Sequence, residues 1–528
     1  MANYPSVAYF CMEFGLHESL KIYAGGLGIL AGDVLKAAKD ADYPMVGVGI
    51  LWRQGYVSQR MDRFGRPYDS FYEYRYPFLE DTGVIVEVEV RRRPLKLKVW
   101  KCTEFGNADL YLLDAFVKGN EDMLITGQLY GWFEEERLAQ EIILGIGGIR
   151  ALKALGINPD IYHFNDSHPV IGSFELIKEK MDKGLSFEEA VALVRKKIVF
   201  TTHTPVRHGN EKYSYEALEY MGVGREFTRS QLESIGGDPF SMTVAGLRMS
   251  RVANAVSQLH GQTAKEMWGH IEEANIIAIS NGVHRSWQDD RIAKAKGDAL
   301  WNRHLELKRR LFVEIERRSA DVLDEDILTI GSARRAAPYK RSDLIFRHTE
   351  EIMMLLESGK IQLVFSGKAH PNDIKGKAIL ANLYDRACTG RGVVFIENYD
   401  MEVGRLMVRG CDAWLNTPAR PMEASGTSGM KAAMNGVLNI SILDGWWPEA
   451  CEHCMNGWQI GGGYQGSDAD EVDAASLLDT LKNQIIPCYY DDRDRWVNMM
   501  KQSIDSVSVS FSAARMLDEY YEKMYMKK

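Results

Sequence analysis

Ile327-Leu-Thr-Ile-Gly-Ser-Ala-Arg-Arg-Ala-Ala-Pro-Tyr-Lys-Arg341 runs from a short apolar stretch straight into a loop crowded with cations. Residues 327–331 have the length and branched composition of a strand buried on both faces. The charge begins where that strand stops, which is where open α/β sheets carry their ligand groups. Four more apolar runs of this kind follow, at 363–366, 393–396, 413–416 and 437–442, with helical patterns between them. An earlier set stands at 7–10, 45–50, 161–164, 198–202 and 276–280, again alternating with helical segments such as 30–40 and 134–155. Two successive series of strands and helices predict an α/β protein with two Rossmann-like, doubly wound domains. Right-handed crossovers would turn their strand ends towards a shared interdomain cleft.

The expected boundaries are an N-terminal domain over 1–282, a second over 283–505 and a C-terminal helix over 506–528 that returns to the first. The hinge is expected within 281–307. Residues 84–90 and 95–99 alternate apolar and charged around Arg91-Arg-Arg-Pro94, which predicts a β-hairpin with one wet face, its arginines solvated. Repeats, low-complexity tracts and Pro-rich linkers are absent from the sequence.

Composition narrows the function. The net charge of −9 offers no basic stripe for nucleic acid, so an anionic ligand needs a local cluster of cations. The opening Met-Ala-Asn-Tyr-Pro-Ser-Val-Ala-Tyr-Phe has no basic residue ahead of its apolar run, unlike a secretory signal. No uncharged stretch is long enough to span a bilayer, and a cytoplasmic protein without membrane contact is expected. Seven cysteines in 528 residues do not make a disulfide framework. Cys451-Glu-His-Cys454 has no second such pair, so ordinary thiols and no metal are expected.

Several strand ends carry polar groups. Tyr23-Ala-Gly-Gly-Leu-Gly28 opens a helix with a turn that lets a phosphate approach the backbone, although it departs from the dinucleotide pattern Gly-x-Gly-x-x-Gly. Arg334, Arg335, Lys340 and Arg341 sit where cations oppose a helix dipole, which favours an anionic partner. Thr201-Thr-His-Thr-Pro-Val-Arg-His208 places His203 at a strand's end, and Asn165-Asp-Ser-His-Pro169, Ser280-Asn-Gly-Val-His284 and Glu397-Asn-Tyr-Asp400 do the same with other groups. Glu423-Ala-Ser-Gly-Thr-Ser-Gly-Met-Lys431 sets a lysine past a loop of small residues, with a helix expected from about Met430. That suits a phosphorylated aldehyde cofactor: amides for its phosphate and an amine for its carbonyl.

Taken together, these motifs resemble the α-glucan phosphorylase family of glycogen, starch and maltodextrin phosphorylases, in its compact bacterial and archaeal form. The likeness extends from Met12-Glu-Phe to Asp444-Gly-Trp-Trp447, in the family's order. It implies the glycosyltransferase B fold and pyridoxal 5′-phosphate on Lys431. It assigns Arg334, Thr427, Ser428 and Tyr399 to the cofactor, and catalysis to Arg335, Lys340, Glu423 and His203. Gly25, Gly26, Leu27, Asp166, His168, Asn281 and Gly426 are assigned to substrate. The implied reaction is retaining phosphorolysis of an α-1,4-glucan by inorganic phosphate, giving α-glucose 1-phosphate, with the cofactor's phosphate as proton shuttle. A homodimer is left open. The chain departs from the animal enzymes at Gly15, Ala24 and Asp400, and Leu129-Tyr-Gly-Trp-Phe133 lacks their Asp-Asn gate. Two other readings stand beside this one: a nucleotide-sugar-dependent glucan synthase on the same fold, and a catalytically decayed glucan-binding homologue.

Overall fold

The computed structural model describes residues 4–131, 133–205 and 210–526, so Trp132 of the gate segment and Arg207 and His208 of the His203 motif lie outside the described residues. The chain divides into two compact units. Unit 1 comprises Met1–Tyr56, Phe71–Ser280 and Met516–Lys528; unit 2 comprises Val57–Ser70 and Asn281–Arg515.

Unit 1 is built on a nine-stranded sheet. Its strands in chain order are β1 (Val7–Phe10), β2 (Met45–Ile50), β3 (Glu80–Val90), β4 (Arg93–Cys102), β5 (Leu110–Asp114), β6 (Ile161–Asn165), β7 (Ile198–Thr202), β8 (Val252–Ala255) and β9 (Ile276–Ala278). The spatial order is β9-β8-β7-β6-β1-β2-β5-β4-β3. From β9 to β5 every pairing is parallel, and the β3–β4 hairpin extends the β5 edge antiparallel. The hairpin turns at Arg91 and Arg92, both with positive φ. Its arginines are engaged at the surface: Arg91 pairs with Asp122 and Glu135, Arg92 with Glu219 and Arg93 with Glu121. Helix α1 (Gly26–Asp40) links β1 to β2, and α2 (Glu134–Ile142) lies between β5 and β6.

Unit 2 carries a six-stranded, wholly parallel sheet. Its strands are β10 (Leu328–Ala333), β11 (Ile361–Ser366), β12 (Val393–Ile396), β13 (Ala413–Asn416), β14 (Leu438–Ile442) and β15 (Gly457–Ile460). The order β12-β11-β10-β13-β14-β15 is the doubly wound arrangement, reversing between β10 and β13. Ile330, Leu363, Phe365, Val393, Leu415, Ile440 and Trp458 are almost fully buried in its core. Each such side chain contributes roughly 1.5–3 kcal/mol relative to exposure, which explains why continuous apolar runs mark these strands. Helices α3 (Asp298–Ser319), α4 (Met401–Gly410) and α5 (Thr427–Ala433) complete the parts needed below.

Candidate functional site

In each unit two of the polar motifs lie where the sheet order reverses. In unit 1 that point lies between β1 and β6, whose loops carry Glu13 with the Gly25–Gly28 turn and Asp166 with His168. In unit 2 it lies between β10 and β13, whose loops carry Arg334–Lys340 and Glu423–Lys431. A crevice forms at such a point because adjacent crossovers pass to opposite faces of the sheet.

The unit 2 cluster centres on a carboxylate. Glu423 accepts Lys340 Nζ at 2.6 Å on Oε1, and Lys340 also reaches Oε2. Arg334 Nη2 donates to Glu423 Oε2 at 3.1 Å. All three side chains are nearly buried. Burial would raise the Glu423 carboxyl, but Lys340, Arg334 and then Arg335 outweigh it and hold the group below the usual carboxylate range. Asp444 fixes its backbone, accepting the Glu423 amide at 2.9 Å and the Gly445 amide at 2.8 Å. Arg335 is exposed beside the cluster.

Arg341 departs from expectation. It has positive φ and is spent internally, donating to the carbonyls of Thr417 (3.0 Å) and Pro418 (2.7 Å) and to Asp470 and Asp473 (2.6 Å each). Helix α5 also begins at Thr427, ahead of the expected Met430, because Gly426 at φ +87° supplies a left-handed N-cap. The amides of Thr427 and Ser428 therefore fall in the first turn, where no intrahelical carbonyl is available. Ser428 Oγ accepts Trp414 Nε1 at 3.3 Å. Lys431 is buried at 6% exposure, its Nζ 4.0 Å above the centre of the Trp287 ring. Asn435 ties the end of α5 down, donating to the Lys431 carbonyl at 2.8 Å and the Trp287 carbonyl at 3.1 Å. Tyr399 is partly buried against Gly404, and burial pushes its hydroxyl pKa up. The adjoining Asp400 caps α4 through the Val403 amide at 3.0 Å. Asn281 is buried, with Oδ1 unpartnered.

In unit 1 the glycine turn is held by a residue that sequence reasoning did not assign. Glu13 Oε2 accepts the amides of Ala24 (2.6 Å) and Gly25 (3.0 Å), and its Oε1 accepts the Tyr130 hydroxyl. The Gly25 amide is thereby committed. The first intrahelical bond of α1 is Ile29 N to Gly25 O at 3.2 Å, so the amides of Gly26 and Leu27 precede it at the helix start. A Cβ on Gly25 or Gly26 would meet nothing within 4 Å, whereas one on Gly28 would lie 2.6 Å from Glu13 Oε2. Gly28 is thus needed for packing, and Gly25 and Gly26 leave open space above the helix start. Glu13 could have been noticed as the one charged residue among Val7-Ala-Tyr-Phe-Cys-Met-Glu-Phe-Gly-Leu16.

His203 Nε2 pairs with Asn165 Oδ1 at 2.7 Å; burial lowers its pKa, partly offset by Asp166. Asp166 has φ +69° and its carboxylate accepts the Ser167 amide at 2.8 Å. His168 Nε2 lies 3.3 Å from Arg137 Nη1.

The matched region of sequence coincides with the unit 2 cluster. A family model described as Carbohydrate phosphorylase matches residues 289–477. The chain is 38% identical to maltodextrin phosphorylase of Thermococcus litoralis, covering 99% of this chain and 71% of that protein. It is 34% identical to glycogen phosphorylase of Aquifex aeolicus, over 99% and 86% respectively. An uncharacterized protein of Methanocaldococcus jannaschii is 36% identical and matched over 99% of its length. The chain belongs to the carbohydrate phosphorylase family, whose fold is of the glycosyltransferase B type.

Proposed function

We propose that this chain carries out phosphorolysis of α-1,4-glucan with inorganic phosphate, giving α-glucose 1-phosphate with retention, and that pyridoxal phosphate is carried on Lys431. The observation that carries the reading is the buried cluster at the unit 2 switch point, where Arg334 and Lys340 converge on one carboxylate. With Arg335 alongside, three cations stand against one anion, so the cluster keeps positive charge for phosphate. The names of the Thermococcus and Aquifex relatives support the substrate class.

The residues fit the cofactor. A buried amine at Lys431 lies on α5, just past a Gly426 N-cap that carries no side chain. The first-turn amides of Thr427 and Ser428, with Arg334, suit its phosphate. When bound, the cofactor supplies a phosphate group able to hold and release a proton near neutral pH.

The chain's own residues do the rest. The family resemblance assigns inorganic phosphate to Arg335 and Lys340 in unit 2 and to the Gly26 amide in unit 1. Phosphate on Lys340 releases Glu423 from that cation, and the freed carboxylate accepts a glucose hydroxyl. For the sugar the resemblance assigns Asn281, Tyr399 and the Gly426 amide in unit 2 and His203, Leu27, Asp166 and His168 in unit 1. Held in this field, a protonated substrate phosphate gives its proton to the glycosidic oxygen as the C1–O bond breaks. One of its oxygens then bonds to C1 on the face the glucan left, which preserves configuration.

Borohydride reduction and peptide mapping test the cofactor assignment, and a pyridoxyl group is expected on the peptide containing Lys431. Its absence there would overturn the reading. Lys431→Ala should lose cofactor loading, whereas Lys340→Ala should load normally and show a raised KM for phosphate in glucose 1-phosphate release from maltodextrin.

A further inference from the structure

Behind the β6 strand end lies a polar pocket whose two carboxylates the proposed chemistry does not use. Glu141 on α2 is fully buried, and neither of its oxygens accepts a hydrogen bond from a fixed donor. Glu211, just before the short strand Lys212–Tyr213, and His168 each bring a ligand-type atom, and all three atoms lie within 4.8 Å of one another. Arg137, one turn before Glu141, is the hub. Its Nη1 lies 3.4 Å from Glu211 Oε1 and 3.3 Å from His168 Nε2, leaving Glu211 Oε2 and His168 Nδ1 buried without partners. Its guanidinium also sits 4.3 Å from the centre of the Tyr130 ring, and Tyr130 donates to Glu13, the residue that clamps the glycine turn.

Among the described residues two carboxylates face one guanidinium, so a negative charge is left over beside the fully buried Glu141, which is strongly unfavourable. Either a cation or a proton can remove it. His168 decides between them. Its Nε2 accepts from Arg137, so the neutral ring carries its hydrogen on Nδ1, and neither nitrogen keeps a lone pair for a metal. A divalent ion would find only two carboxylates, one already held by arginine. A single proton brings the pocket to neutrality.

We propose that Glu141 and Glu211 carry one proton between them at neutral pH, and that this acid–carboxylate pair positions Arg137, and through it His168 and the Tyr130–Glu13 clamp. The role in activity rests on the phosphorolysis reading above; the shared proton does not. Burial, with Glu211 beside it, drives the Glu141 carboxyl well above its usual range. Burial acts the same way on Glu211, but the Arg137 guanidinium outweighs it and holds that group low, so the proton resides on Glu141. Among the described residues, the titratable groups facing the pair are Arg137 on α2, His168 after β6 and Tyr213. The acids on the neighbouring elements, Glu87 and Glu89 of β3 and Glu216 and Glu219 of the helix Tyr215–Met221, point to solvent.

Glutamine mimics a protonated glutamate in shape and charge, which gives the test. In the infrared spectrum at neutral pH, the carboxylic-acid carbonyl band is expected in the wild-type protein and diminished in Glu141→Gln. Phosphorolysis by Glu141→Gln should match the wild type at neutral pH and lose the alkaline decline in kcat/KM, because it has no proton to shed. Glu211→Gln leaves Arg137 without its anion, and kcat/KM for glucan should fall about tenfold or more. An unchanged acid band between wild type and Glu141→Gln would overturn the proposal. So would a stoichiometric divalent metal that the wild type retains through purification and Glu141→Gln does not. If the band behaves as expected and no glucose 1-phosphate is formed, the shared proton stands and the phosphorolysis reading falls.

Discussion

Gly26 and Gly28 stand two positions apart in one turn and have opposite reasons for lacking a side chain. A Cβ on Gly28 would strike Glu13 Oε2 at 2.6 Å and Tyr23 Cβ at 2.8 Å, so Gly28→Ala should cost about 1–3 kcal/mol in chemical denaturation. A Cβ on Gly26 meets nothing within 4 Å, so Gly26→Ala should leave stability unchanged or slightly raised. It should instead raise KM for phosphate; an unchanged KM would remove the Gly26 amide from the phosphate site. Asp444 gives a residue-scale pH dependence. Burial, then the nearby Glu423 charge, lifts its carboxyl to about 7, against the pull of two backbone amides. Because the folded value is raised, the stabilisation is complete below the ordinary carboxyl value near 4 and is lost as pH rises through about 7. The full effect is up to about 4 kcal/mol. Asp444→Asn has no such proton, so the wild type's stability advantage over it should shrink as pH rises across that window. The sequence announced much of this site because small residues and cations at strand ends have few structural uses. It hid Glu13, Asp444 and Glu141, because a buried carboxylate's partners come from distant segments.

At the scale of elements, α3 is fastened to the unit 2 sheet by a buried ionic group. Lys308 Nζ donates to Asp412 Oδ2 at 2.7 Å and to the Ile327 carbonyl at 2.8 Å, while His304 Nε2 lies 2.7 Å from Asp412 Oδ1. All three side chains are essentially inaccessible. Burial would raise the Asp412 carboxyl, but Lys308 and His304 hold it below its usual value. Lys308→Met leaves a buried carboxylate facing a neutral set of partners, His304, the Thr329 amide and the Tyr489 hydroxyl, so urea unfolding should show a loss of about 3–5 kcal/mol. A loss well under 1 kcal/mol would mean that Asp412 takes up a proton without penalty. The strands flanking this group were the easiest part of the fold to read. Residues 393–396 are an unbroken apolar run, and 413–416 an apolar run closed by Asn416, and the strands β12 and β13 have those limits. By contrast, Val252-Ala-Asn-Ala255 makes a parallel strand in unit 1 with only one branched residue. Its neighbours β7 and β9 impose the conformation, so no local pattern marked it. The break in the 134–155 segment was equally silent, since the π-turn at Ile143–Gly147 is apolar like the helices it joins.

At the scale of the whole molecule, neither unit is one continuous piece of chain. Unit 1 recruits Met516–Lys528, and that segment supplies interior groups to it. Tyr520, Tyr521, Met524 and Tyr525 are almost fully buried. The Tyr525 hydroxyl lies 2.7 Å from Nδ1 of His163, a fully buried ring on β6 whose pKa burial lowers to about 3. Arg251 donates to the carbonyls of Met524 (3.1 Å from Nε) and Tyr525 (2.6 Å from Nη2). Ending the chain after Arg515 therefore removes six large interior side chains, Met516 and Leu517 among them, worth roughly 1.5–3 kcal/mol each. It also leaves a buried imidazole nitrogen unpaired. The sum is comparable to the roughly 5–15 kcal/mol that holds a whole domain folded. Hydrogen exchange of the truncated protein should show lost protection in Ile161–Asn165 and Ile198–Thr202, with protection kept in Leu328–Ala333 and Leu438–Ile442. Full protection of the unit 1 strands would show that the terminal segment adds little to that core. Loss in both sets of strands would instead mean that the two units unfold as one cooperative structure.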